Sequence, residues 1–189
     1  MKTVTRKIQI SGIGFMITAL VFLSAGTGGC GRKGPPLSKE TLSLKKEIQE
    51  RIEQYSPPFV EPLSKGDNAA VQEAFGKLSI ELTKDGHPLT WGAAVLDKDG
   101  VALRALTSGG TQAGLDYSNI KPVADALKNR KMAQGKFYRQ DRFCAYYVVK
   151  PLIRQGELVG LFVLGLSAKE LTEKKGVSEK EFMAIDFNH

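Results

Sequence analysis

Arg142–Ser167, RFCAYYVVKPLIRQGELVGLFVLGLS, is the stretch that most restricts how the chain can fold. It reads as two strands, Phe143–Lys150 and Leu158–Leu166, joined by the polar turn Arg154-Gln155-Gly156-Glu157. β-Branched and aromatic residues fill both runs, with Gly and Pro as punctuation. In the second run alternation places Leu158, Phe162, Leu164 and Leu166 on one face and Val159, Leu161 and Val163 on the other. A strand apolar on both faces has to be covered on both, so it belongs in the middle of a sheet.

The N-terminus has the layout of an export signal. The basic residues Lys2, Arg6 and Lys7 precede an apolar run from Ile8 to Leu23 and then small residues. Ile8–Ser24 approaches the length of a membrane span, so an uncleaved anchor competes with this reading. Ser24-Ala25-Gly26-Thr27-Gly28-Gly29-Cys30 favours cleavage, because small residues before a cysteine resemble the bacterial lipobox. That resemblance implies a diacylglycerol on Cys30 as the mature N-terminus, although Thr27 stands where the motif prefers Leu. It also implies outer-membrane sorting where such a membrane exists, since Gly31 replaces the retention-signalling Asp. With Cys30 lipidated, Cys144 has no partner, and no intrachain disulfide is expected.

The formal charge of +7 includes the three cations of the leader; from Cys30 onward 24 basic residues face 20 acidic ones. This mildly basic balance excludes a nucleic-acid-binding surface. The expected organisation is a signal peptide over 1–29, a Gly- and Pro-rich lipidated tether over 30–37, and one domain over 38–189.

Within the domain, Ser38 caps a helix to about Tyr55 with the apolar stripe Leu44, Ile48, Ile52, Tyr55, and Pro57-Pro58 stops it. Asp67 caps a second helix to about Thr83. Trp91–Leu96 and Val101–Leu106 flank Asp97-Lys98-Asp99-Gly100, a hairpin signal. Ser108–Gly114 reads as a mobile loop over a pocket, Ser118–Arg130 as a helix with Pro122 in its first turn, and Phe137–Arg139 as a short strand. Ala168–Lys174 is a short helix, and Ser178-x-x-Glu181 is a capping box for a last one. The order gives an α+β fold with one five-stranded antiparallel sheet, a long N-terminal helix and a helical crossover.

The segments VLDKDGVAL, YYVVKPL and GELVGLFVLG resemble the Cache domain, the extracytoplasmic PAS-like sensor, over about Thr41–Ser167. The resemblance implies a small ligand held between the sheet and the segment joining the second and third strands, here about Thr107–Gly135. It also implies signalling through a separate partner protein. The roadblock/profilin-like fold shares the element order and offers an alternative: an adaptor that dimerises without a ligand.

Chemical motifs are few. Asp97-x-Asp99-Gly100 could open a calcium loop, but Val101 stands where a fifth-position oxygen is needed, so a turn is favoured. Cys144 has no histidine near it in sequence and reads as a structural thiol. GxSxG, HExxH, CxxC and CxxCH do not occur, so no catalytic residue, metal site or cofactor is expected. The cluster Lys136, Arg139, Arg142, Tyr146, Tyr147 and Lys150, with Asp116 and Tyr117 upstream, supplies binding candidates. Tyr117, Arg142 and Tyr147 are the expected ligand contacts, with Arg142 as counter-charge for a small anion. Alternation sets Tyr147 and Tyr146 on opposite faces without saying which face meets the pocket.

Overall fold

The structure is a computed structural model that describes residues 36–84, 90–107, 110–139 and 142–189, without the side chains at 139 and 142–144. The leader, Cys30 and most of the tether lie outside these residues, as do His87 and the Cys144 thiol.

Helix α1 (Lys39–Tyr55) starts where Ser38 Oγ accepts the Thr41 N–H at 3.2 Å. Its stripe is buried as the spacing requires: Leu44, Ile48 and Ile52 are each 1 % exposed. Pro57 begins a 3₁₀ turn (Pro57–Phe59) that leads into α2 (Val60–Lys65), which Gly66 closes in the left-handed conformation. Asp67 then caps α3 (Asn68–Thr83) by accepting the Ala70 N–H at 3.0 Å. Val71, Phe75 and Leu78 are its buried face.

The sheet comprises β1 (Trp91–Leu96), β2 (Ala102–Thr107), β3 (Gly110–Gln112), β4 (Ala133–Arg139), β5 (Arg142–Arg154) and β6 (Glu157–Ser167). Its order is β3-β2-β1-β6-β5-β4, with every pair antiparallel. β6 lies between β1 and β5, and every residue from Gly160 to Leu166 is buried. One core joins the sheet to α1 and α3; the other joins it to α4 (Lys121–Asn129), the helix of the β3–β4 crossover.

The α+β class, the antiparallel sheet and the PAS/Cache-like arrangement are as expected, but the strands number six. The sixth, β3, arises inside Ser108–Gly114, which therefore contains a strand instead of being loop throughout. Gly110 takes φ +95°, Thr107 donates to its carbonyl at 3.0 Å, and Thr111 and Gln112 pair with Leu106 and Ala105. β5 also runs past Lys150, through Pro151 to Arg154. β4 pairs only as far as Val149, so Pro151 sits where β5 has β6 alone beside it, a position that tolerates a missing donor.

The faces of β6 also need a correction. Leu152 pairs with Gly160 and Ile153 with Leu158, which leaves Val159 as the extra residue of a bulge. The alternation reverses there: Leu158 packs on the α4 side and Val159 on the α1 side. The β5–β6 turn itself is two residues, Gln155 (φ +52°) and Gly156 (φ +83°), the left-handed pair suited to a tight hairpin.

After β6 the chain winds through a π-helix (Glu170–Lys174), passes Gly176 at φ +65°, and enters α5 (Glu179–Met183). Ser178 and Glu181 form both bonds of the capping box. Phe182, Ile185 and Phe187 bury themselves in the core of the α1 face. Asn188 then holds the start of β4, accepting the Met132 N–H at 2.9 Å and donating to the Met132 carbonyl at 3.1 Å.

Candidate ligand-binding site

Tyr147, Gly165 and Gly92 form one row across β5, β6 and β1, on the face away from α1. Neither glycine carries a side chain, the Tyr147 ring leans over Gly165, and a cavity of about 420 Å³ opens beside it. Tyr147 and Ala145 of β5 and Phe137 of β4 wall one side, and Leu106, Thr107 and Gln112 of β2 and β3 the other. Tyr117 and Ile120, ahead of α4, form the roof, with Asp116 and Ser167 at the rim.

The aromatic wall is a set of three rings. Phe137 stacks on Tyr147 at 5.0 Å and 7°, and Tyr117 lies 5.9 Å from Phe137 and 6.5 Å from Tyr147. Tyr117 is 4 % exposed, held by its N–H to the Gly100 carbonyl at 3.0 Å. Asp116 Oδ1 accepts the Ser118 N–H at 2.8 Å. Bonds from the Ser118 side chain and backbone lower the Asp116 pKa, so it is a carboxylate.

Two of the three expected contacts, Tyr117 and Tyr147, are therefore brought together. Arg142 opens β5 opposite Arg139, three residues before Ala145 of the wall, and its side chain lies outside the described residues. Phe137 and Gln112 were not singled out in the sequence. Phe137 was legible only as the first residue of a short strand, and Gln112 lay in a segment read as loop.

Tyr146, Lys136 and Lys150 of the predicted cluster hold the fold on the α1 face, and the Arg139 side chain lies outside the described residues. Tyr146 packs on Phe182 at 5.0 Å and donates to Glu179 at 3.3 Å. Desolvation, reinforced by Glu179, raises its pKa. Lys136 pairs with Glu179 at 2.6 Å, which raises the lysine pKa and lowers that of the glutamate. Lys150 donates to the buried Ser56 hydroxyl at 3.1 Å. In the hairpin turn, Asp97 Oδ1 accepts the Asp99 and Val101 N–H groups, both at 2.9 Å, so it serves the turn.

A second cleft, of about 510 Å³, lies on the opposite face between α1, α3 and the π-helix. Its charges satisfy one another: Glu47 pairs with Arg51 at 3.2 Å and Lys175 at 2.7 Å, and Glu170 with Lys174 at 2.8 Å. Arg51 also covers the Trp91 ring, 4.6 Å from its centroid. The glycine-floored cavity is the better small-molecule site, because its lining is aromatic and aliphatic with polar groups at the edges.

No protein-family model matches the chain, and no curated protein matches it in sequence. Solved structures do match. One is a domain assigned to a sensory box/GGDEF family protein from Vibrio parahaemolyticus, at TM-score 0.52 and 13 % identity over 75 % of this chain and 61 % of that one. Another is the extracellular domain of a protein assigned as a histidine kinase, at TM-score 0.51 and 14 % identity over 75 % and 58 %. The chain spans about three-fifths of the length of each. At such identities the likeness is one of fold alone, the α+β PAS/Cache-like arrangement.

Proposed function

We propose that the chain is an extracytoplasmic ligand-binding module of sensor type, anchored to a membrane by lipid on Cys30 and acting without catalysis. One observation carries this reading: a half-open cavity of about 420 Å³, walled by Tyr117, Phe137 and Tyr147, lies between the sheet and the crossover. An adaptor using the same fold only as a scaffold would fill that space with side chains, whereas Gly92 contributes none and Gly165 makes room only for the Tyr147 ring that walls the cavity. Tyr117 and Tyr147 supply wall and hydroxyl groups. Arg142 supplies the counter-charge for a small carboxylate or similar anion. The lipid would hold the module at the periplasmic face, on the outer membrane where one exists, and a separate signalling protein would read its state.

The test is to release bound small molecules from the purified protein for mass spectrometry. In parallel, organic acids, amino acids and amines are screened by thermal shift. A ligand at one hundred times its Kd stabilises the fold by about 2.7 kcal/mol. An empty protein and a silent panel would sink the sensor reading in favour of a dimerising adaptor.

A further inference from the structure

The strand that floors the cavity continues directly into the helical turn facing α1. Beyond Gly165, β6 ends at Ser167, which both lines the cavity and accepts the Glu170 N–H on its Oγ at 3.1 Å. Ser167-x-x-Glu170 is thus a second cap of the same type as Ser178-x-x-Glu181, with one difference. Glu181 returns its carboxylate to the Ser178 N–H at 3.0 Å. Glu170 instead turns to Lys174, and the Ser167 N–H goes to the Thr90 carbonyl at 3.4 Å.

The turn so capped is wound as a π-helix, closed by Lys175 N–H to the Glu170 carbonyl at 3.0 Å and followed by Val177 N–H to Leu171 at 3.1 Å. Such single π turns occur mostly as local departures from α geometry. Lys175 links this one to Glu47 of α1 at 2.7 Å.

We propose that Ser167 is the relay by which occupancy of the cavity reaches α1, a regulation of the site that rests on the ligand-binding reading above. A serine hydroxyl has one proton and two acceptor positions. In Ser167 one acceptor position serves Glu170, and the proton has no acceptor among the described residues. A ligand oxygen that takes this proton polarises the hydroxyl and strengthens its bond to the Glu170 N–H. A ligand that is only a donor takes the second acceptor position and, by drawing on the same oxygen, weakens the bond from that N–H. Acceptor ligands therefore tighten Ala168–Lys175 and its link to α1, and donor ligands loosen them.

Amide exchange on the full chain tests the relay, with acetate as acceptor probe and methylammonium as donor probe. Acetate should slow exchange at Lys175 and Val177, and methylammonium should speed it. Ser167→Ala should raise exchange at both amides roughly fivefold, the factor for a lost cap, and abolish their response to acetate while Tyr147 and Gly165 still respond. A response at Tyr147 and Gly165 without one at Lys175 and Val177 overturns the relay, as does a response that survives Ser167→Ala.

Ala145→Asp tests it without a free ligand. Ala145 pairs directly with Ser167, so the new carboxylate is a tethered acceptor. It should slow exchange at Lys175 only when Ser167 is present, and an effect indifferent to Ser167→Ala, or no effect, overturns the proposal. Probes that leave every cavity amide unchanged count against the carboxylate reading of the site, and Ala145→Asp then decides the relay by itself.

Discussion

Tyr147 lies against the bare backbone of Gly165, its directly paired neighbour, so closely that a Cβ at position 165 would stand 2.9 Å from Cε1 of the ring. The glycine thus sets the height of the cavity floor and the position of its aromatic wall together. Gly165→Ala should move the ring, cost about 1–3 kcal/mol as overpacking, and reduce binding of any ligand identified by the thermal-shift screen. Gly160→Ala is the control for severity. There the new Cβ would meet the Leu96 carbonyl oxygen at 2.5 Å, and backbone cannot swing aside as a ring can. Its loss in urea melts should exceed that of Gly165→Ala; equal losses would mean that Tyr147 is as immobile as the backbone.

Phe162 is 0 % exposed on the central strand and stacks on Phe59 at 5.9 Å. Phe162→Ala should cost about 3–5 kcal/mol in denaturant melts. A loss below about 1 kcal/mol would contradict its place between two covered strands.

Glu181 accepts bonds from the Ser178 hydroxyl and N–H, which lower its pKa from 4.5 to about 2. A depressed carboxylate pKa adds stability above the unfolded value, and this contribution disappears as pH falls through the folded one. The cap should therefore contribute fully above about pH 4.5 and progressively less down to about pH 2. Ser178→Ala should lower the melting temperature at pH 6 and flatten its acid dependence in that window. An unchanged acid profile would remove the capping box from the pH response.

Arg142→Ala should erase the thermal shift produced by a carboxylate ligand and leave the unliganded melting temperature nearly unchanged. A shift that survives the substitution would assign the counter-charge elsewhere.

Cys30→Ser should abolish lipid labelling and leave an unprocessed precursor. Processing at the same site in the variant would refute the lipobox reading.

Much of the architecture was legible because local signals and burial agreed. The caps Ser38, Asp67 and Ser178, the stripe from Leu44 to Ile52 and the two-sided apolar run of β6 each carry their own physical cause. β3 was not legible, since a three-residue strand rich in Gly, Thr and Gln has a loop's composition and forms only because β2 offers an edge. The bulge at Val159 was hidden for a similar reason: strict alternation has no term for an unpaired residue, so Leu158 and Val159 exchanged faces. At the site, Tyr117 and Tyr147 were found by residue type and position. The glycine floor was missed because Gly92 and Gly165 lie 73 residues apart and become neighbours only through the β1–β6 pairing.

The grip of Asn188 on Met132 bears on how the molecule behaves in company. A free sheet margin is a template on which another chain can lay a strand, and repetition of that step builds fibres. Here a side-chain amide already occupies both backbone groups at the start of β4, and the Gln134 amide donates to the Ile185 carbonyl just beyond. The opposite margin is β3, only three residues long. Sheet growth from one molecule to the next would meet Asn188 at the start of β4 and only three residues at β3, so the fold hinders polymerisation at these two points.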